Sequence, residues 1–121
     1  MKIKMEYLNE IIKYLELQNH HKEINDITNL ILKVRRENKN VFIFGNGGSA
    51  SIASHFSMDL TNNSKIKCYS YNDPSIITCF ANDFKYENWI SKVIEKYGSK
   101  NDLLILISSS GESKNMLNAV K

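Results

Sequence analysis

The stretch VFIFGNGGSASIASHF, residues 41–56, decides the fold class of this 121-residue chain. Its first four residues are β-branched or aromatic, as in a buried strand, and its last eight suit the start of a helix. Between them stands a turn that holds three glycines and no side chain larger than asparagine. Such a bare turn lets the backbone approach a neighbouring group closely, and in parallel sheets ligands bind at this point.

Short apolar runs alternate with helical patterns through the rest of the chain. The runs at 41–44, 66–71 and 103–107 predict strands, and the last of these is apolar at every position, which suits a strand covered on both faces. Asp73-Pro74 predicts the start of a helix, and Tyr97-Gly98 predicts the end of one. We therefore predict an α/β fold with a parallel, doubly wound sheet.

Two amphipathic helices are predicted to open the chain. Apolar residues recur at helical spacing in residues 8–15 and 24–34, on either side of the polar break Asn19-His20-His21. Because so little else covers these helices, we predict that residues 1–38 assemble a homo-oligomer and that a sheet domain follows over residues 39–121. His20 and His21 are predicted to be exposed loop residues.

Composition restricts the class of protein and its partners. Apolar residues make up 42% of the chain and charged residues 24%, as in an ordinary globular domain. The net charge of +3 is spread along the sequence, so we expect no nucleic-acid partner. The longest apolar run is too short to cross a bilayer, so we expect no membrane partner. Cys68 and Cys79 lack metal-binding spacing and disulfide density, so we expect both in or near the core of a cytoplasmic protein.

Hydroxyl-rich turns follow two of the predicted strands. The turn Gly45-Asn46-Gly47-Gly48-Ser49 follows the first, and Ser108 to Ser113 follows the last. Helix N-termini, bare backbone N–H groups and short hydroxyls all favour an anion, so the two turns together predict one phosphate site. Neither turn has the P-loop or the dinucleotide-binding pattern. Taken singly, either turn is better explained by helix capping.

His55 and Asp59 lie four residues apart in the helix predicted after the first turn, so they share one face. Ile52, Phe56 and Leu60 are predicted to form the apolar stripe of that helix, with the pair near the sheet but outside the core. The pair suits a metal, a proton transfer or a local ion pair, and its spacing alone favours the ion pair.

Three motifs together resemble a known family. GNGGSASIASHF, the later Ala81-Asn82-Asp83 and the loop Ser108 to Ser113 resemble the sugar isomerase (SIS) domain family, and within it the phosphoheptose (sedoheptulose 7-phosphate) isomerase branch. The resemblance covers nearly the whole chain. It implies a flavodoxin-like parallel-sheet sandwich preceded by two helices, a phosphorylated sugar as ligand, and a homotetramer.

The resemblance also implies a role for each matching residue. The phosphate-binding set would be Gly47, Gly48, Ser49, Ser108, Ser109, Ser110 and Ser113, with Ser109 contributing its backbone. Asn46 and Asp83 match residues that contact the sugar. His55 matches a metal-ligand histidine, and Asp59 stands where the family has a glutamate that ligates zinc and acts as the base. Asp59 is thus the implied catalytic base, although its carboxylate is one methylene shorter.

The activity implied for the parent protein is aldose–ketose isomerisation of sedoheptulose 7-phosphate to a heptose 7-phosphate for surface polysaccharides. Related domains continue beyond the position of Lys121 with C-terminal strands and a helix, which carry a glutamine ligand and the catalytic-acid histidine. We therefore interpret residues 39–121 as a partial SIS domain, either a fragment or a remnant that a partner completes. The alternative is a non-catalytic SIS module that binds a phosphosugar or a protein, which the aspartate at position 59 favours.

Overall fold

Helices and strands alternate along the chain, as the sequence predicts. The computed structural model describes residues 5–15 and 20–121. The helices are α1 (Met5–Leu15), α2 (His21–Arg36), α3 (Gly48–Ser64), α4 (Pro74–Phe84), α5 (Trp89–Tyr97) and α6 (Lys114–Val120), and a short 3₁₀ helix (Tyr86–Asn88) precedes α5. The strands are β1 (Val41–Gly45), β2 (Cys68–Tyr69) and β3 (Leu103–Ile107). Across the described residues, none of the helices is both long and apolar enough to cross a membrane.

The chain divides into two compact units, one within residues 1–30 and the other comprising residues 31–121. In the first unit, α1 and the start of α2 are the two helices that the apolar spacing predicts, and α1 buries none of its residues. The division falls before the boundary suggested after residue 38, because Ile31 and Val34 of α2 belong to the core of the second unit. His20 and His21 are exposed, as predicted, but His21 is the first residue of α2 and not a loop residue, whereas Asn19 lies outside the described residues.

The sheet of the second unit is parallel, with the strand order β2-β1-β3. From β1 the chain passes through α3 to β2 on one side, and it then crosses through α4 and α5 to β3 on the other side. This is the order of the first three strands in flavodoxin-like folds, where the change of direction beside β1 marks the ligand-binding crevice. The sequence-based prediction of a parallel, doubly wound sheet is therefore confirmed.

The central strand β1 supplies both faces of the core. Val41 and Ile43 pack with the end of α2 and with α3 on one face of the sheet. Phe42 and Phe44 pack with α4, α5 and α6 on the other face, where the ring of Trp89 meets that of Phe44 edge-on at 5.5 Å between centroids. Strand β3 has side chains in both layers, as predicted, but its residues are only half-buried because β3 is an edge of the described sheet.

The buried face of α3 includes the predicted Leu60, and Phe56 packs against the core, but the prediction for Ile52 was wrong. Ile52 is 57% exposed. The residues of α3 that are buried are Ala53, Ser57 and Leu60. The cause is the close approach of α3 to β1, since a Cβ atom added at Gly45 would lie 2.3 Å from the carbonyl carbon of Ser49. Small side chains fit such a contact, so the face with alanine and serine turns inward and Ile52 turns outward.

Two other expectations are corrected. The strand expected over residues 66–71 is reduced to two residues, and Tyr71 beyond it has a φ of 45°, which is incompatible with an extended strand.

Of the two free cysteines, Cys68 is buried, and burial raises the pKa of its thiol to about 11. Cys79 lies on the exposed side of α4, so the prediction that it belongs in or near the core was wrong.

Candidate functional site

The loops that follow β1 and β3 leave the sheet side by side. Gly45 is paired with Ile107, so both parallel strands end at the same edge. Two side chains then join the loops: Nδ2 of Asn46 donates to Oδ1 of Asn115 at 3.0 Å, and Nδ2 of Asn115 donates to Oδ1 of Asn46 at 2.8 Å. The two turns therefore adjoin at the switch point of the sheet, as a single anion site built from both requires.

Glycines shape the first loop for different reasons. Gly47 has a φ of 54° and a ψ of −123°, a backbone conformation that is open essentially to glycine alone. Gly48 has neither a left-handed φ nor a crowded position, since an added Cβ atom would meet nothing within 4 Å. The fold therefore needs a glycine at position 47 but not at position 48. The missing side chain of Gly48 leaves open space at the first residue of α3.

The helices that follow the two loops begin without a side-chain cap. Gly47 and Ser113 occupy the N-cap positions of α3 and α6, and neither makes a side-chain capping hydrogen bond. By contrast, Asp73 caps α4 by accepting a hydrogen bond from the N–H of Ser75 at 2.8 Å. Helix capping therefore does not explain the serines of the two loops. The start of α3, where the positive end of the helix dipole lies, is left without a competing side chain.

The backbone of the second loop holds two of its hydroxyl groups. Oγ of Ser108 accepts from the N–H of Gly111 at 3.0 Å, and Oγ of Ser110 accepts from the N–H of Glu112 at 3.2 Å. A hydroxyl that accepts a hydrogen bond keeps its own hydrogen to donate. Both serines, together with the exposed Ser109 beside them, can therefore turn donors toward an anion.

Asp83 and Tyr86 differ in their relation to the two loops. Asp83 is exposed near the end of α4, and its side chain contacts Cys79 at 3.9 Å and Asn82 at 3.1 Å, both on the same helix. Tyr86 reaches the first loop, because its hydroxyl donates to Oδ1 of Asn46 at 3.2 Å. Among the described residues, Tyr86 thus belongs to the hydrogen-bond network of the loops and Asp83 does not.

Three residues of this region are absent from the sequence-based set: Asn72, Tyr86 and Asn115. Asn72 follows β2 at the same edge of the sheet, and its Nδ2 donates to the carbonyl of Ala50 at 2.8 Å and to Oγ of Ser54 at 2.9 Å. Its position directly after a predicted strand was a signal that could have identified it. The buried Asn115 gives no comparable local signal, because its partner is distant in sequence.

His55 and Asp59 form the predicted pair on α3, with Nε2 and Oδ2 3.5 Å apart. Their side chains are 84% and 53% exposed, on an open and largely apolar side of the helix that also carries Ser51 and Ile52. A tetrahedral zinc ion with bonds of about 2.1 Å separates its ligand atoms by about 3.4 Å, so the pair fits two of four positions. Within the described residues, no group of three potential ligands occurs.

A parallel sheet with this strand order defines a domain of the flavodoxin-like class, in which ligands bind at the switch point, where the two hydroxyl-rich loops adjoin. The family model described as SIS domain matches residues 6–121, so the chain belongs to the SIS domain family. The resemblance drawn from the three sequence motifs is thereby confirmed.

Two similar proteins carry the same name, phosphoheptose isomerase. The phosphoheptose isomerase of Fusobacterium nucleatum is 37% identical over 114 residues, which cover 90% of this chain and 59% of that protein. The phosphoheptose isomerase of Cytophaga hutchinsonii is 35% identical over 113 residues, which cover 89% and 59%. The chain thus spans about three fifths of the length of these curated relatives.

Solved structures agree with the fold. The structure of phosphoheptose isomerase GmhA from Neisseria gonorrhoeae has a TM-score of 0.80 and 25% sequence identity, and the match covers 98% of this chain and 67% of that chain. A phosphoheptose isomerase from Francisella tularensis has a TM-score of 0.74 and 26% identity, over 94% of this chain and 68% of that chain. The predicted fold class is therefore confirmed.

Proposed function

We propose that this chain belongs to a phosphosugar aldose–ketose isomerase that converts sedoheptulose 7-phosphate into a heptose 7-phosphate for surface polysaccharides. The observation that carries the proposal is the junction of two uncapped, hydroxyl-rich loops at the switch point of the sheet. The names of the relatives support the choice of reaction and of substrate.

In this proposal the substrate phosphate lies between the two loops. The groups that bind it are the hydroxyls of Ser49, Ser108, Ser110 and Ser113 and the backbone of Gly47, Gly48 and Ser109. Hydrogen bonds from hydroxyl and N–H groups to a doubly negative ester are stronger than bonds between neutral groups, and they fix the far end of the sugar. Asn46 and Asp83 would contact the sugar hydroxyls. The role of Asp83 requires a change in its present contacts, which lie within α4.

The length of α3 restricts which sugar can reach the carboxylate. Eleven residues separate Gly48 from Asp59, so the axial rise between them is about 16 Å. A seven-carbon sugar phosphate extends roughly 9 Å from phosphorus to C2 at bond lengths near 1.5 Å. The tilt of helical side chains toward the N-terminus shortens the remaining gap. Even a seven-carbon sugar phosphate therefore ends about 7 Å short of Asp59 along the helix axis before this tilt is counted, which makes the role of Asp59 the first part of the proposal to test.

The proposed chemistry is a proton transfer between neighbouring carbons. Asp59 takes the proton from C1, beside the C2 carbonyl group, and leaves an enediolate whose C2 oxygen takes up a proton. An acid then gives a proton to C2 while the C1 hydroxyl gives up its own, so the aldehyde forms at C1 with no net change in protons. A zinc ion held by His55 and Asp59, with further ligands from outside the described residues, would stabilise the negative charge of the enediolate. The 3.5 Å between Nε2 and Oδ2 supports these two as neighbouring ligands.

We also propose a homotetramer in the cytoplasm. Apolar side chains of α1 and α2 are exposed in the single chain, Ile12 by 58% and Ile27 by 50%, and a second copy of the same helices is the self-complementary partner that would cover them. Two free cysteines accord with a reducing compartment.

A second candidate function is a SIS module that binds a phosphosugar or a protein without catalysis. The exposure of the His55–Asp59 pair favours this candidate, because an exposed pair of this kind also forms as a local helix contact. Both candidate functions use the same phosphate site, so binding of the sugar phosphate cannot distinguish them. Proton exchange at C2 of the sugar can.

The deciding experiment incubates the full-length protein with sedoheptulose 7-phosphate in D₂O, with and without zinc, and follows C2 deuteration and product by NMR. Isomerisation that Asp59→Asn abolishes while sugar-phosphate binding persists supports the enzyme. Binding without exchange in the wild-type protein supports the non-catalytic module.

Ser110→Ala tests the phosphate site separately. It should weaken binding of the phosphorylated sugar much more than that of the unphosphorylated sugar, with Ser99→Ala at the opposite edge of the sheet as the matched control. Equal losses for both sugars would remove the phosphate assignment.

A further inference from the structure

The two loops are joined by a pair of carboxamides that face each other. Asn46 donates to Asn115 at 3.0 Å and Asn115 donates to Asn46 at 2.8 Å, so each amide offers both its oxygen and its nitrogen to the other. Two hydrogen bonds between two planar groups fix orientation as well as distance, as a single bond does not. The pair spans 69 residues of sequence and connects the turn after β1 to the first turn of α6.

The surroundings make this pair costly to break. Asn115 is only 3% exposed, so a lost partner would leave buried polar atoms unsatisfied. The hydroxyl of Tyr86 adds a third bond, to Oδ1 of Asn46 at 3.2 Å. Oδ1 of Asn46 therefore accepts two hydrogen bonds, and its Nδ2 has one hydrogen left for any other group. The side chain of Asn46 is committed mainly to protein contacts.

From this network we infer that Asn115 is a positioning residue that, through its bonds to Asn46, holds the two phosphate-binding loops in register, while the remaining Nδ2 hydrogen of Asn46 stays available for the proposed sugar contact. The inference rests on the proposed phosphate site. Asn115 lies two residues after Ser113, so the bond to Asn46 fixes the start of α6 relative to Gly47 and Gly48. Asn115 does not need to touch the ligand for the pair to set the geometry of the donors around it.

The same helix offers a matched control. Nδ2 of Asn118, one turn further along α6, donates to the carbonyl of Glu87 at 3.0 Å and to Oδ1 of Asn88 at 2.9 Å. Asn118→Ala therefore removes two amide hydrogen bonds from α6 without touching either loop. Asn115→Ala removes two bonds that cross between the loops.

The test measures binding of inorganic phosphate and of sedoheptulose 7-phosphate to the full-length protein by titration calorimetry, with thermal unfolding recorded for every variant. Asn115→Ala should weaken binding of both ligands by about tenfold, whereas Asn118→Ala should leave both affinities within about twofold at a similar loss of stability. Equal affinities in the two variants would overturn the inference. A wild-type protein that binds neither ligand would overturn the proposed function instead.

The double variant Asn46→Ala, Asn115→Ala separates a bridging role from a ligand contact. If the two amides position the phosphate-binding loops only through each other, the double variant loses no more affinity for inorganic phosphate than Asn115→Ala alone, and a larger loss would overturn the bridging role. A further loss that is confined to sedoheptulose 7-phosphate would support the proposed sugar contact of Asn46.

Discussion

Replacement of Gly48 by alanine should separate the needs of the fold from those of the ligand. Gly48 is the first residue of α3, its φ is not left-handed, and an added methyl group meets no protein atom within 4 Å. Alanine in place of glycine at a compatible position reduces the freedom of the unfolded chain. The Gly48→Ala variant should therefore gain about 0.4–1 kcal/mol in free energy of unfolding.

The same methyl group would occupy the space that the proposed phosphate requires. Hydrogen bonds to a charged group contribute about 1.5–3 kcal/mol each, so loss of one such bond weakens binding by roughly 10- to 100-fold. Gly48→Ala should thus be more stable than the wild-type protein and yet bind phosphate and sugar phosphate more weakly. A general folding defect would lower both stability and affinity, so higher stability with weaker binding would point to the ligand site.

The assay pairs urea denaturation with calorimetric titration of inorganic phosphate and sedoheptulose 7-phosphate. Asn62→Ala, at an exposed position of the same helix, is the matched control, and it should leave binding unchanged. If Gly48→Ala binds phosphate as tightly as the wild-type protein, the open space at this residue does not serve a ligand. A loss of stability would show that the space is not open.

Two further predictions concern stability. Lys85 has a φ of 69° and a ψ of 148°, close to a region that only glycine adopts freely, so Lys85→Gly should relieve strain and raise the free energy of unfolding by about 1 kcal/mol, measured in urea. Burial alone would raise the pKa of Asp102, but hydrogen bonds from Asn40 and from the N–H of Ser99 outweigh it and hold this pKa below its ordinary value. A carboxyl group whose pKa is lower in the folded state stabilises the fold at pH values above its unfolded-state pKa. Asp102→Asn should therefore lower the free energy of unfolding by about 1–2 kcal/mol at pH 7. In denaturation measured at several pH values, the difference between variant and wild type should shrink as the pH falls below about 4.

Local pattern was sufficient to predict the strands β1 and β3 and the parallel sheet. The β-branched and aromatic run before Gly45 and the fully apolar run Leu103–Ile107 lie where predicted, because side-chain type and burial on two faces act within a few residues. The same holds for Asp73-Pro74, where the cap and the proline belong to one turn. These features depend on neighbours in sequence, so they are legible without a structure.

The parts that sequence did not reveal depend on distant neighbours. The inward face of α3 follows from its contact with β1 at Gly45, and helical periodicity alone cannot sense how close two elements pack. The role of Asn115 depends on Asn46, far away in the chain, and the exposure of Cys79 depends on which side of α4 meets the sheet. The roles given to Ser49, His55, Asp59 and Asp83 came from resemblance, and they stay predictions.

Because one strand serves as the shared wall of both apolar layers, the layers cannot melt independently. Residues Val41 to Phe44 point alternately into each layer, and all four are nearly inaccessible to solvent. Disorder in one layer would remove the packing contacts that hold β1 in place, and the other layer packs against the same strand. The backbone amides of β1 should therefore exchange with solvent hydrogen only when the whole sheet unit opens, which makes this strand the natural place to read its global stability.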